Sequence, residues 1–392
     1  MDNNVGRKYR SIEFTKFTFY QDDTGFECTV KADDHKNPDI IYFKFNKPIG
    51  KISNNLVFGA LMTLVGKDWY ESVSFDLSVS KQVYERATKL TSSKIGVRDL
   101  DYDEDEGKRS DYDGVALSLS GGIDSNALYY LMKRGEVPFH AIGTDFGPTF
   151  ARDTDVFRGR VELIMTTNIR DEATKYVSDV KTWQFMGISA ILSTDYFKTK
   201  NILFGQVNQF DRYMRTLTGD GNRIVKFPSS DFLSIADCNM HGIKFLTEFQ
   251  NAVVVLDNVK DKKVIQKIED ASATTHHRGK FFRKQMFLLA ARKYLGMPTT
   301  PCSKFKFIDP ADKFHKRFVE EVNSVTMEDK NLVLVLGLKY MGYTSPEFKN
   351  KLFSRVRDFT FIEDVCMCDI PEFYRQYPAL MDYLSTLFTM RK

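Results

Sequence analysis

Residues 1–98 fall into short runs in which apolar and polar side chains alternate. The runs "SIEFTKFTFY", "FECTVKA", "IIYFKF" and "SVSFDLSVS" repeat with a period of two and are rich in Thr, Val, Ile and Phe. That period puts one face of each run against a core and the other against water, which predicts β-strands. Helices are predicted at "NLVFGALMTLVG" and "SKQVYERATKL", so residues 1–98 are expected to form a small α+β domain. The acidic stretch "DLDYDEDEGKRSDYDG" follows, Asp99 to Gly114. It has no apolar stripe and reads as a solvated linker over 99–113, with a cation or partner site as the alternative.

From Gly114 the pattern changes. "VALSLS" is a short apolar strand, "DSNALYYLMKRG" a helix closed by Gly135, and "FHAIGTDFG" and "VELIMTT" are further strands. "TKYVSDVKTWQFMGISAILSTDYFKTK" is expected to be helical and "NILFGQ" to be a fourth strand. Strands alternating with helices predict a parallel sheet built from βαβ units, here over residues 114–258. Residues 259–392 are expected to be chiefly helical, in "KDKKVIQKIEDAS", "GKFFRKQMFLLAARKYLG", "DKFHKRFVEEVNSV" and "PEFYRQYPALMDYLSTLFTM". The expected fold class is α/β, a parallel twisted sheet with helices on both faces, preceded by a small α+β domain and followed by a helical C-terminal region.

Composition narrows the function classes only a little. The 392 residues are 42% hydrophobic and 14% aromatic, with 33 Phe, which is ample for a large core. A net charge of +4 permits an anionic small molecule or an RNA as ligand and selects neither. Five cysteines without regular spacing predict a reducing compartment rather than a disulfide scaffold. The start "MDNNVGRKYRSIEF" carries no apolar signal segment, and the longest apolar runs, such as "NLVLVLGL", are too short to cross a bilayer. A soluble, cytoplasmic protein is expected.

The chemistry concentrates at Ser120-Gly121-Gly122-Ile123-Asp124-Ser125, between the strand "VALSLS" and the helix after it. Two glycines allow a tight turn and let backbone N–H groups approach an anion closely. The positive end of the helix dipole points to the same place. Ser118, Ser120 and Ser125 add hydroxyls, and Asp124 is suited either to cap the helix or to help hold a magnesium ion. Each hydrogen bond to a charged phosphate would contribute about 1.5–3 kcal/mol. The Gly-Lys-Ser/Thr ending of a Walker A loop and the third glycine of a dinucleotide fingerprint are both missing.

The turn instead resembles the PP-loop, the SGGxDS signature of ATP pyrophosphatases, which implies an adenine nucleotide α-hydrolase-like fold, ATP and Mg2+. In that family the loop holds the pyrophosphate that leaves when ATP is cut between its α and β phosphates. The substrate oxygen is adenylated, and a nucleophile then displaces AMP. The resemblance implies adenine contacts through backbone groups at Ile142, Gly143 and Thr144 in "HAIGTDFG", and Gly205, Gln206 and Asp211 of "ILFGQVNQFDRY" at the nucleotide mouth, Asp211 as a magnesium or substrate contact. In "HHRGKFFRKQMFLLAARKYLG", an apolar stripe of Phe281, Met286, Leu289 and Ala290 is led by a basic first turn. Cations there oppose the helix dipole; Lys280 and Arg283 serve either as anion contacts that neutralise leaving pyrophosphate or as a solvated face.

Within the superfamily, "SLSGGIDSN", "ILFGQVNQFDRY" and "GKFFRKQMFLLAARKYLGMPTTPCSKFKF", taken in order, are similar to the synthetase domain of asparagine synthetase and its relatives. That likeness implies an amide-forming ligase with Asp124, Lys280 and Arg283 as catalytic residues. The amino-terminal cysteine of the glutaminase is absent, Asp2 standing there, so ammonia or an amine would come from solution or a partner. A second likeness, "ADCNMHGIKFLTEF", resembles a segment of tRNA 2-thiouridylases and would make Cys238 a sulfur-handling nucleophile, with Cys302 the only candidate for a second cysteine. The 7-cyano-7-deazaguanine synthases share the loop, but their clustered zinc cysteines are missing; Cys366 and Cys368 form only a Cys-x-Cys. A non-catalytic nucleotide-binding module is the remaining alternative. The acceptor stays open: a small molecule, or an RNA or protein engaged through residues 1–98, and no membrane.

Overall fold

The computed structural model describes residues 9–33, 35–66, 70–101, 109, 111–170, 184–205, 232–271, 278–300, 302, 306–326, 331–355 and 364–391. The alternating runs at the amino terminus form β1 (Tyr9–Phe19), β2 (Gly25–Ala32), β3 (Asp39–Phe45) and β4 (Tyr70–Ser80), and "KIGVRDLD" adds β5 (Lys94–Asp101). β1, β2 and β3 pair as an antiparallel meander; β4 lies parallel to β1, and β5 parallel to β4. The inward positions (Phe14, Phe26, Phe43, Phe75) are buried, while Glu13, Lys31, Lys44 and Asp76 on the other face are exposed. β5 takes in the first three residues of the expected linker. Arg109, within that stretch, is anchored: its guanidinium donates to Asp195 (2.6 and 2.9 Å) and to Ser53 Oγ (2.8 Å).

Helix α1 (Asn54–Val65) leaves β3 and α2 (Lys81–Leu90) leaves β4; Ser53 and Ser80 cap them by accepting from Leu56 N–H and Val83 N–H. α1 is buried on every side from Asn55 to Val65, as expected of a helix that is apolar all round.

The second half is β6 (Gly114–Leu119), α3 (Ile123–Arg134), β7 (His140–Asp145), α4 (Ala151–Phe157), β8 (Leu163–Thr167), α5 (Ile188–Leu192), α6 (Thr194–Phe197), β9 (Thr199–Phe204) and β10 (Asn239–Gly242). These five strands are parallel and lie in the order β10-β9-β6-β7-β8. The chain builds outward from β6 through β7 to β8, then returns to the far side of β6 with β9. Counted from β6 this is the 3-2-1-4-5 order of a doubly wound sheet, and its switch point lies between β6 and β9.

At the other edge β8 pairs antiparallel with β3, Phe43 opposite Thr167 and Phe45 opposite Met165. Both halves therefore share one sheet, ten strands among the described residues, ordered β10-β9-β6-β7-β8-β3-β2-β1-β4-β5. Alternate residues of β6 face opposite cores. Val115, Leu117 and Leu119 meet α3, α7 (Glu248–Asn258), α8 (Lys262–Asp270), α9 (Arg278–Tyr294) and the helices beyond; Ala116 meets the layer of α1, α2 and α5.

The carboxy-terminal region is largely helical: α10 (His315–Ser324), α11 (Leu332–Met341), α12 (Leu352–Arg355), α13 (Glu372–Arg375) and α14 (Pro378–Leu387). The expected tail helix is split because Pro378 starts a new helix at its first turn, where its missing N–H costs nothing. Of the long helix expected over 174–200, the described part holds only a 3₁₀ turn, α5 and α6 before β9 begins at Thr199; Lys198 takes a left-handed conformation there and ends it. A short strand pair joins β11 (Asp364–Cys366) to β12 (Thr389–Arg391). Cys366 and Cys368 are joined in a disulfide, where the irregular spacing predicted none, and Cys28, Cys238 and Cys302 are free. Among the described residues no helix is long and apolar enough to cross a membrane.

Candidate functional site

β6 ends at Leu119, and the turn after it lies at the carboxyl end of the strand beside the switch point. Its shape is set by its own side chains. Ser125 Oγ accepts from Ser120 N–H (3.1 Å) and stands 2.9 Å from both Ser120 O and Ser120 Oγ. Ser120 Oγ accepts from Gly122 N–H (3.3 Å), and Asn126 Nδ2 donates to Gly122 O (2.7 Å). The two hydroxyls thus brace the loop. No side chain caps the first turn of α3: its N-cap residue is Gly122, which supplies no side-chain acceptor, so the positive end of the helix dipole lacks that partner.

Two glycines let neighbouring elements close on this turn. A Cβ at Gly121 would lie 2.5 Å from Asp153 Cα in the first turn of α4. A Cβ at Gly205, just past β9, would lie 2.5 Å from Ser125 N. Gly122 is different: the nearest atom to a Cβ there is Ser120 Oγ at 3.4 Å.

α7 supplies the next wall. Thr247 and Gln250 form a capping box, Thr247 Oγ1 accepting from Gln250 N–H (3.2 Å) and Gln250 Oε1 accepting from Thr247 N–H (2.9 Å). With its first turn fixed in this way, α7 presents Asn251, whose Nδ2 donates to Asp124 Oδ1 (2.8 Å), and Glu248 one turn earlier. From another side α9 brings Lys280 and Lys284, four residues apart and so on one face. Lys284 is buried and its ammonium donates to Ala271 O (3.1 Å).

These groups perturb one another strongly. Burial raises the Asp124 carboxyl to about 6, although the Asn251 hydrogen bond, Lys280 and Lys284 all favour its charged form. Burial, then the neighbouring Asp124 charge, pushes Glu248 well above the ordinary carboxylate range against the pull of Arg283 and Lys280. Burial lowers Lys284 to about 8, with Asp153 opposing. Lys280 is lowered in the same way, with Asp153 opposing and the like charge of Arg170 assisting. Lys280 is nevertheless exposed to solvent as a residue, unlike Lys284. Arg170 itself lies 3.7 Å above the Phe150 ring.

Four buried oxygens here have no hydrogen-bond partner among the described residues: Asn126 Oδ1, Asp153 Oδ1, Glu248 Oε2 and Asn251 Oδ1. Unmet acceptors of this kind call for a cation or a donor. The residues present therefore fit a polyanion at the uncapped helix end, beside Lys280 and Lys284, and a divalent cation near Asp124.

The structure brings Ser120, Gly121, Gly122, Asp124, Ser125, Gly205 and Lys280 together. The side chains of other residues expected at the site are engaged in packing or local hydrogen bonds, which leaves the backbone contacts expected at Ile142, Gly143 and Thr144 untouched. Ser118 Oγ donates to Met186 O (2.6 Å), Ile123 and Ile142 are in the two cores, and Thr144 Oγ1 donates to Ser189 Oγ (2.8 Å). At Gly143 a Cβ would strike Phe157 at 2.3 Å, so that glycine serves the packing of α4 on β7. Arg283 donates to Asn331 Oδ1 on the α11 side while still acting on Glu248. Gln206 and Asp211 lie outside the described residues. Cys238 is buried in the core of the opposite face, its sulfur 3.6 Å from Thr194 Oγ1 and from Ala236 O, and Cys302 Sγ accepts from Arg292 Nη2 (2.8 Å).

Sequence reasoning missed Asp153, Glu248, Asn251, Lys284 and Arg170. Two signals were available: the Thr-x-x-Gln box "TEFQ" announces a helix start at Thr247, and the Lys280/Lys284 spacing of four places both on one helical face. Comparison with protein-family models, with curated proteins and with solved structures found no match to this chain.

Proposed function

We propose that this chain is an AMP-forming enzyme of the PP-loop type, with an adenine nucleotide α-hydrolase-like fold, that binds magnesium-ATP at the Ser120–Ser125 turn. The observation that carries the reading is the uncapped amino end of α3 at the switch point, flanked by Lys280 and Lys284. The N–H groups of that turn and the two ammonium groups would receive the β and γ phosphates. Asp124 and Glu248 are the carboxylates that would hold the magnesium, and a magnesium ion there would supply charge neutralisation for departing pyrophosphate. An acceptor carboxylate or amide oxygen would attack the α phosphorus, and the bond to the β-phosphate oxygen would break with its electron pair leaving on pyrophosphate. Ammonia or an amine would then displace AMP, giving an amide or a related bond, as in asparagine-synthetase-like ligases. The test is incubation with magnesium-ATP while AMP, ADP and pyrophosphate are separated by ion-exchange chromatography, with amino acids, ammonia, deazapurines and tRNA screened as acceptors. AMP and pyrophosphate in equal amounts support the reading; ADP and phosphate, or no binding of ATP, overturn it.

A further inference from the structure

Cys366 and Cys368 lie outside the machinery described so far. They are joined with Cα atoms 5.3 Å apart and only one residue between them. Cys366 is half-buried and Cys368 exposed, so small reagents reach the pair. A disulfide stabilises a fold by removing loop freedom from the unfolded chain, and that effect shrinks with the length of the loop closed. A loop of three residues is close to the minimum. The bond is therefore a poor staple, and its value must lie in its chemistry.

Its position gives that chemistry a target. Cys366 ends β11, whose Val365 is fully buried and whose Asp364 side chain pairs with Arg391 of β12. The carbonyl of Asp364 accepts a 2.7 Å hydrogen bond from Gln250 Nε2. Gln250 is the third residue of α7, and its Oε1 is the half of the capping box that holds Thr247 N–H. One side chain thus ties β11 to the same helical turn that presents Asn251 to Asp124. Only Val365 separates the disulfide from the tied carbonyl.

We propose that Cys366 and Cys368 form a thiol–disulfide exchange site whose oxidation state sets how firmly the first turn of α7 is held. The oxidant is a low-molecular-weight disulfide of the glutathione class. The Cys368 thiolate attacks one of its sulfurs and releases one thiolate, forming a mixed disulfide. The Cys366 thiolate then attacks Cys368 Sγ and releases the second. Two protein thiols become one disulfide, the external disulfide becomes two thiols, and the two protons leave with them. The bond fixes the chain leaving β11 and so holds Asp364 O against Gln250; the reduced form frees residues 366–368 and loosens that hold. This inference rests on the nucleotide site only for its functional meaning.

The test needs no nucleotide. The full chain is equilibrated in glutathione buffers from fully reduced to fully oxidised, trapped with an alkylating agent, and the peptide carrying both cysteines is weighed. The reduced peptide is expected to carry two alkyl groups, and a lighter form with none, about 2 Da below the unalkylated dithiol mass, is expected to appear as the buffer becomes oxidising. Amide hydrogen exchange at Gln250 and Asn251 is expected to run at least about threefold faster in the reduced protein. In a Cys366→Ser/Cys368→Ser chain the faster rate should hold in every buffer. Absence of the lighter form, a zinc ion held by the two thiols in the isolated protein, or equal exchange rates in both wild-type forms would each overturn the proposal. So would a buffer-dependent rate that survives the double substitution, because Cys28, Cys238 or Cys302 would then be responsible.

Discussion

Gly121 and Gly122 are neighbours with different tasks. At Gly121 the obstacle to a side chain is Asp153 Cα, a backbone atom that cannot rotate away. Gly121→Ala must displace α4 or the loop and is expected to cost about 1–3 kcal/mol, with pyrophosphate release down at least tenfold. Gly122→Ala meets only a hydroxyl at contact distance, with φ −72° and ψ 156° open to any residue; it should unfold within about 0.5 kcal/mol of wild type. Urea titrations of the two variants check the contrast. Charge states matter as much as shape. If Asp124 must be ionised and Lys284 protonated for the free enzyme to capture magnesium-ATP, kcat/KM should rise through about pH 6 and fall above about pH 8. A profile flat between pH 5 and 9 would remove both residues from the proposed roles. Lys284 also carries a stability signature. Its folded-state value is depressed from 10.5 to about 8, so between those values the unfolded chain holds more protons and stability rises with pH; below about 8 the burden of the buried charge is fully present. That burden is about 3 kcal/mol at neutral pH, offset in a Lys284→Met chain by about 1 kcal/mol for the lost bond to Ala271 O. Lys284→Met should therefore be more stable at pH 7 by about 1–2 kcal/mol in urea titration, and inactive.

At the scale of elements, α7 decides how the site is held. It gives Asn251 to Asp124, and that hydrogen bond favours the charged carboxylate. Asn251→Ala should move the acid limb of the pH profile upward while leaving the alkaline limb, set by Lys284, in place. A merely structural role for Asn251 would lower the rate without shifting either limb. This helix was readable in part: the "TEFQ" box marks its start, yet "NAVVVLD" is too uniformly apolar for period alone to separate a buried helix from a strand. The elements around the loop were easier. β6, α3, β7, β8 and β9 follow runs whose length and flanking glycines settle their type. The same reading that located the PP-loop-like turn could not see Asp153 or Glu248, because each reaches the turn only through tertiary packing of α4 and α7. Cys238 shows the converse. A local likeness suggested sulfur chemistry, whereas burial beneath the opposite face leaves the thiol beside Ala236 O and Thr194 Oγ1. Cys238→Ser is expected to keep pyrophosphate release within about threefold while costing about 1–2 kcal/mol of stability for a buried hydroxyl in place of a thiol; loss of turnover without loss of stability would revive the sulfur-transfer reading.

For the molecule as a whole, the feature least visible in the chain is the joint between β3 and β8. A strand's period shows which of its faces is buried, but not which distant strand will lie at its edge. Residues 1–98 and 114–258 therefore read as separate units, and the acidic stretch between them as a tether. In the folded chain the two share a sheet, and α1 crosses the joint. Gly59 of α1 packs so tightly that a Cβ there would be 2.7 Å from Ala236 Cβ in the second half. Side chains stitch the same seam: Asn46 Oδ1 accepts from Ile164 N–H (3.0 Å), and Asn168 Oδ1 accepts from Tyr42 N–H (3.0 Å). A chain beginning at Gly114 would open the β8 edge to water and strip α1 from Ile142, Met165, Ile202 and Phe204, all buried in the core that α1 shares. An unpaired strand edge beside a bare apolar face is a template for association. Residues 114–392 expressed alone are thus expected to be insoluble or to form soluble aggregates by size-exclusion chromatography, and residues 1–113 to lack a cooperative unfolding transition. Co-expression of the two pieces should restore a soluble complex, because the seam is built from side-chain and strand contacts and needs no covalent link. A monomeric, cooperatively unfolding 114–392 fragment that binds magnesium-ATP would show instead that the amino-terminal half is an attachment to an independent nucleotide-binding domain.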